Sequence, residues 1–333
     1  MAEEGGTGPG LAEVVGGADA DEAMLAEVLE GLQRADKRIA SKYHYDERGS
    51  QLFEEITRLD EYYPTRTERA LLKEWMPRWV DALRPAALVE LGAGNAEKSR
   101  IVLDAMVGSG CGEAYVPVDM SADFLQETAQ RLEEEYPSLA ILPTVADITS
   151  PLPLPSRLPS PTWIAFLGST LGNFDDEGAA ELLGRIHRRL RSDDRLLLGV
   201  DLRAGPGKSA QRIELAYNDD AGVTAAFSLN VLSVLNDALG TDFDLEGFRH
   251  RARYLAERGR IETDLVSMRD QVVRFPDGPE IDIAEGEAIR TEISCKYDRP
   301  TIDALFAEAG LRVERWQEDG RGYYALVLGA PIG

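Results

Sequence analysis

A chain of 333 residues can form one large domain or two ordinary ones with apolar cores, so no metal or disulfide staple is needed to hold it together. Its 36 Lys+Arg stand against 59 Asp+Glu, a net charge of -23 that repels phosphate backbones and anionic bilayers, so neither nucleic acid nor membrane is an expected partner. Two cysteines, Cys111 and Cys295, make no disulfide framework and the three histidines, His44, His187 and His250, are scattered; a reducing cytoplasm and no metal are expected.

Residues 1–22 hold six acids, no base and two Gly-Gly pairs, which predicts an acidic tail too poor in apolar surface to order. The first basic residue is Arg34 and no apolar run nears the roughly 18 residues a span requires, so no signal peptide or transmembrane segment is expected. Apolar positions from Met24 to Leu32 fall at helical spacing, predicting a helix over 23–33. An aromatic-rich stretch follows, with Tyr43, Tyr45, Tyr62 and Tyr63 as pocket candidates alongside the later Tyr217.

A strand–helix alternation begins at Thr67. Helices are expected at 70–79, 96–106, 122–136 and 178–191, and strands at 87–91, 114–118, 140–146, 163–167 and 195–202. Such alternation implies an α/β fold with a mostly parallel, doubly wound sheet. It breaks after 202: helices at 209–216 and 223–239 lead to extended segments at 260–268, 271–275 and 289–296. A helix at 301–309 and strands at 311–317 and 323–328 close the chain. The short Gly-bearing turn between those strands predicts an antiparallel hairpin. The expected organisation is a nucleotide-type domain over 67–202 and 297–333, with an α+β substrate cap built from 23–66 and 203–296.

At the end of the first strand stands Glu90-Leu91-Gly92-Ala93-Gly94, where glycines let the backbone turn tightly beside a ligand. A dinucleotide fingerprint would place a third glycine at 97, where this chain has Glu97, so a nicotinamide dehydrogenase is disfavoured. S-adenosylmethionine (SAM) fits better. Asp119, at the end of the second strand, is placed to accept from ribose hydroxyls, and Asp147, at the end of the third, from the adenine amino group.

Several long motifs carry a more specific resemblance: Tyr45-Asp46, Ser50–Leu59, Glu61–Arg66, Val89–Gly92 with Glu97-Lys98, Phe166–Asn173, Ala221–Phe227 and Thr291–Lys296. Through them the chain, from about Ser41 to Leu328, resembles the histidine-specific, SAM-dependent N-methyltransferase family of ergothioneine biosynthesis. That family trimethylates the α-amine of L-histidine to hercynine on a class I methyltransferase sheet. The resemblance implies SAM contacts at Gly92, Lys98, Asp119, Asp147 and Ile148. It implies amino-acid contacts at Tyr62, Asn173, Tyr217, Glu292, Ile293 and Ser294, with Tyr45, Asn173 and Tyr217 nearest the chemistry. A small amino acid is then the partner, and a monomer the expected state.

Methyl transfer from a sulfonium needs no protein nucleophile, only alignment, and positioning supplies roughly 7–11 kcal/mol of barrier reduction. Glu292 and Ser294 alternate along an extended segment and share a face, able to grip two imidazole nitrogens. Relatives acting on histidine commonly carry methionine where Thr263 stands here, which leaves another aromatic amino acid, or a non-catalytic SAM-binding role, as the alternatives.

Overall fold

The structure is a computed structural model describing residues 18–149, 153–155, 157–276 and 278–332. Helix α1 (Ala18–Leu32) begins earlier than apolar spacing predicts, so the tail expected over 1–22 is helical from Ala18 onward; residues 1–17 lie outside the described residues. After a 3-10 turn at Ser41–His44, the Asp46 carboxylate accepts from the Gly49 N–H at 2.7 Å and caps α2 (Glu47–Arg58), a helix the sequence reading did not separate from the aromatic stretch. Helix α3 (Tyr63–Leu83) takes Pro64 in its first turn, where a missing N–H costs nothing. The domain boundary expected at 66/67 therefore falls inside a continuous helix.

The alternating units follow in order: β1 (Ala87–Leu91), α4 (Ser99–Gly108), β2 (Ala114–Asp119), α5 (Ala122–Glu135), the short β3 (Ala140–Ile141) and β4 (Thr144–Val145), β5 (Thr162–Phe166), α6 (Asp176–His187) and β6 (Arg195–Asp201). Near the C-terminus come α9 (Arg299–Glu308), β12 (Leu311–Glu318) and β13 (Tyr324–Pro331). These strands form one sheet in the order β12-β13-β6-β5-β1-β2-β3, with β4 also on β2. Neighbours among β1, β2, β5 and β6 run parallel, whereas β13 is antiparallel to both β6 and β12. Both faces are covered, which is why β1 and β5 are buried along their whole length. Val89, Leu91 and Val116 pack with α6 and α9, while Leu88 and Tyr115 pack with α3, α4 and α5.

Between β6 and α9 lies the second body: α7 (Ala210–Leu215), α8 (Val223–Leu239), β7 (Phe248–Leu255), β8 (Arg260–Ser267), β9 (Gln271–Arg274), β10 (Glu280–Ile283) and β11 (Ala288–Cys295). β11, β8 and β7 make an antiparallel sheet, and β9 pairs with β10. The sequence pattern misses β7, an edge strand whose arginines at 249, 251 and 253 mask its alternation, and it misses the four-residue β10. Helices α1 and α8 pack Val28, Leu32, Val231 and Leu235 against Leu265 and Ile289 of this sheet. This second body meets the main sheet where Tyr297 N–H donates to the Asp201 carbonyl at 2.9 Å and Gly172, after β5, lies against the backbone of Cys295.

Candidate active site

β1 is flanked by β2 on one side and β5 on the other, so the strand order reverses there and a crevice opens at the carboxyl ends. Gly92 (φ 75°) and Gly94 (φ 52°) occupy left-handed backbone in the turn out of β1. A Cβ at either would meet nothing within 4 Å, so the loop fronts open space of the kind a ligand fills. Asp119 braces it, one carboxylate oxygen accepting from Gly94 N–H at 2.9 Å and the other from Ser121 N–H at 3.1 Å. It does not cap α5, whose N-cap position is Ser121. Each oxygen keeps a lone pair for a ribose hydroxyl. Glu97 pairs with Arg69 at 2.6 Å.

Asp147 accepts from the Thr149 N–H and hydroxyl at 2.7 and 2.6 Å, and from Lys42 at 3.3 Å. Burial would raise its pKa, but the Thr149 bonds and the Lys42 charge outweigh that and hold it below the usual carboxylate value. Ile148 packs against the core beneath α6. Lys98 reaches Glu68 at 2.7 Å, and its ammonium would lie 2.9 Å from a Cβ placed on Gly168. Glu68 is fully buried and takes the Gly168 N–H at 2.8 Å and the Tyr324 hydroxyl at 2.9 Å. Sequence reasoning missed this carboxylate, which holds Lys98 across the crevice between the ends of β1 and β5.

The second half of the site is aromatic. Tyr62, Tyr217, Phe227 and Ile261 belong to one buried group, and Tyr62 meets Phe53 and Tyr217 edge-on, at 6.2 and 6.1 Å between ring centres. The Tyr45 ring sits 5.5 Å from Phe227 and 5.7 Å from Phe53. Tyr45 is 38% exposed overall, and its phenol pKa is raised first by desolvation and then by Glu292, Tyr217 and Asp119. Asn173 ends the 3-10 turn Thr170–Asn173, beside the seam with β11.

The register of β11 decides which side chains enter this pocket. Ile289 faces Leu265, so strict alternation would bring Thr291 and Ile293 to the same face. A bulge between Arg290 and Glu292 shifts the pairing by one residue, so that Glu292 lies opposite Thr263 and Ser294 opposite Ile261. Glu292 and Ser294 thus turn inward, while Ile293 packs into the main-sheet core. Ile293, expected among the amino-acid contacts, offers its side chain to that core instead. Burial raises the Glu292 pKa to about 7, against the pull of Lys296 and of the nearby Thr263 hydroxyl. That hydroxyl is buried without a well-formed hydrogen bond.

Behind the pocket lies an ion cluster that sequence reasoning also missed. Ser294 Oγ and the Tyr217 hydroxyl are 2.9 Å apart, and Lys296 Nζ stands 2.8 Å from each and 2.9 Å from Asp201. Lys208 contacts the other Asp201 oxygen and also donates to the Leu202 and Tyr323 carbonyls. Burial lowers the Lys208 pKa to about 8, although Asp201 pulls the other way.

A parallel sheet closed by two antiparallel strands, with a Gly-x-Gly turn and strand-end carboxylates at the switch point and a tyrosine-rich cluster bearing Glu292 and Ser294 beside them, defines a class I SAM-dependent methyltransferase. Residues 24–331 match the family described as histidine-specific methyltransferase, SAM-dependent, and the chain belongs to that family. It is 40% identical to the histidine N-alpha-methyltransferase of Mycolicibacterium smegmatis over 96% of this chain and 98% of that protein. It is 32% identical over 82% of its length to ergothioneine biosynthesis protein 1 of Neurospora crassa, of which it spans 31%. An L-tryptophan methyltransferase of Psilocybe serbica is 28% identical, with 93% of this chain and 94% of that protein aligned. Among the described residues, no helix is long and apolar enough to cross a membrane.

Proposed function

We propose that this chain transfers three methyl groups in succession from SAM to the α-amine of L-histidine, yielding the trimethylated betaine of the ergothioneine pathway. The observation that carries the reading is that Glu292 and Ser294 turn inward against an aromatic group containing Tyr62 and Tyr217, with the Tyr217 hydroxyl 2.9 Å from Ser294 Oγ and the Gly172-Asn173 turn beside them. A carboxylate accepts an imidazole N–H and a hydroxyl serves the second ring nitrogen. A site built on such bonds rejects analogues lacking them by up to ~10⁴–10⁵.

When bound, SAM supplies an electrophilic methyl: the amine lone pair forms the N–C bond as the S–C bond breaks and sulfur keeps the electron pair. Gly92, Gly94 and Asp119 would seat the nucleoside, Asp147 the adenine edge and Lys98 the methionine carboxylate. The substrate ammonium loses a proton before each transfer, and the product nitrogen carries a fixed positive charge. Tyr45, whose phenol pKa is raised by burial and by Glu292, stays protonated and acts as a hydrogen-bond partner rather than a base. Asn173 and Tyr217, neutral groups, hold the amino and carboxylate ends without favouring the unreactive ammonium.

One observation favours a second reading. Thr263, opposite Glu292, is a small side chain with an unsatisfied hydroxyl, so the pocket wall there suits a ring larger than imidazole. Incubation with SAM and each proteinogenic amino acid in turn, followed by mass spectrometry, separates the two. Addition of 42 mass units (about three methylenes in net gain) to histidine alone supports the first; trimethyl-tryptophan or trimethyl-tyrosine as the main product replaces it.

A further inference from the structure

Lys296 ends the motif that carries Glu292 and Ser294, yet neither cofactor nor amino-acid binding accounts for it. Its side chain has no exposure to solvent. Its three N–H bonds are all committed, to Ser294 Oγ, to the Tyr217 hydroxyl and to Asp201. Asp201, equally enclosed, is also held by Lys208 and by the Tyr63 hydroxyl, the latter 2.9 and 3.0 Å from its two oxygens. For the seam alone, one lysine would neutralise one aspartate. A second buried lysine leaves a net charge of +1, and an unbalanced buried ion costs several kcal/mol. Glu292 feels the Lys296 charge, which opposes the rise that burial gives its pKa.

The hydroxyl geometry leads to the same residue. Lys296 occupies one lone pair on Ser294 and one on Tyr217, and the 2.9 Å contact between those oxygens uses one of their two hydrogens. One O–H remains, pointed away from the ammonium and available to a ligand.

We propose that Lys296 is a positioning residue of the amino-acid pocket: it clamps the Ser294 and Tyr217 hydroxyls in one arrangement and supplies the buried cation that lets Glu292 meet the substrate ring as a carboxylate. The proposal rests on reading this pocket as the seat of a ring bearing an N–H. The groups that face Glu292 from the surrounding elements are Tyr45 ahead of α2, Tyr62 at the start of α3, Tyr217 after α7 and Thr263 on β8. The three phenols have pKa values raised first by burial and remain neutral, and Thr263 is uncharged, so Lys296 is the cation acting on Glu292.

The test uses the full chain labelled with [δ-13C]glutamate, with the Glu292 signal assigned through Glu292→Gln and titrated by NMR without substrate. In Lys296→Met the Glu292 midpoint moves up by about one pH unit or more. The acid limb of kcat/KM for histidine moves with it, histidine KM at pH 7 rises at least about tenfold, and the SAM Kd stays within about twofold. Lys296→Arg restores part of both shifts. Should Lys296→Met not fold, Lys296→Gln keeps a hydrogen-bonding side chain without the charge and moves the midpoint up in the same way. A Glu292 midpoint that stays put in whichever variant folds overturns the proposal. If the midpoint moves but the wild type leaves histidine unmethylated, the clamp stands and the substrate assignment falls.

Discussion

Glu292 lies directly across from Thr263, and it does so because β11 bulges at Thr291. Without the bulge its opposite number would be Glu262, a carboxylate already held by Arg258 and Arg260, and like charges would face one another. The arrangement puts a costly carboxylate inside the pocket. With its pKa raised from 4.5 to about 7, native Glu292 keeps a proton that the unfolded chain has released, so stability falls as pH rises through that window and the penalty is complete above it. Glu292→Gln removes the penalty. Urea titrations should show the variant gaining on the wild type between pH 5 and 7 and holding a lead of about 2–3 kcal/mol above that. Its kcat/KM for histidine should drop at least about 100-fold. A stability gap independent of pH refutes the account.

Gly172 fixes how closely the loop after β5 approaches β11. A Cβ there would stand 2.7 Å from the Cys295 carbonyl oxygen and 3.1 Å from its nitrogen, both backbone atoms that cannot swing aside. Gly172→Ala should cost about 1–3 kcal/mol. By moving Asn173 away from Ser294, it should raise the histidine KM several-fold. The SAM Kd, measured by calorimetry, should be unaffected, and equal losses for both ligands would place Gly172 elsewhere in the mechanism.

Asp119 holds the Gly94 and Ser121 amides and keeps lone pairs for a ribose. Replacing it with alanine should weaken SAM by about 10–100-fold, the worth of charge-assisted bonds of about 1.5–3 kcal/mol. Thermal shifts read this directly, since the stabilisation that saturating SAM gives the wild type should largely vanish. Persistence of the full shift would mean the nucleoside lies elsewhere.

Glu68 is a buried anion with Lys98, Gly168 and Tyr324 on its two oxygens. Glu68→Gln leaves Lys98 without its partner, and a loss of about 3 kcal/mol is expected in urea denaturation. Lys98→Met strands the buried Glu68 charge and should cost at least as much stability, and in addition it should raise the SAM Kd at least about tenfold. If Lys98→Met leaves SAM affinity intact, Lys98 serves only the Glu68 pair.

The proposed donor half of the site rests on residues whose placement follows from local chain order. A glycine turn follows a strand, and carboxylates end the next two, so chain order alone puts Gly92, Asp119 and Asp147 along one edge of a parallel sheet. Glu68 escaped notice because nothing near it in sequence marks a glutamate on an amphipathic helix as buried. The same holds for Lys208 and Lys296. Lysines are surface residues by default, and these two are enclosed only because β6, the segment after it and the end of β11 converge on Asp201.

What the sequence determined by itself was the α/β alternation, the closing antiparallel pair and, through its long motifs, the family. These depend on periodicity and on residues close together in the chain. Tertiary structure alone decided that α3 runs through the expected domain boundary, and that Ile293 leaves the pocket while Glu292 and Ser294 enter. A bulge is a mismatch between two strands, and the inward face of β11 is set by its pairing with β8, which no alternation within one strand encodes.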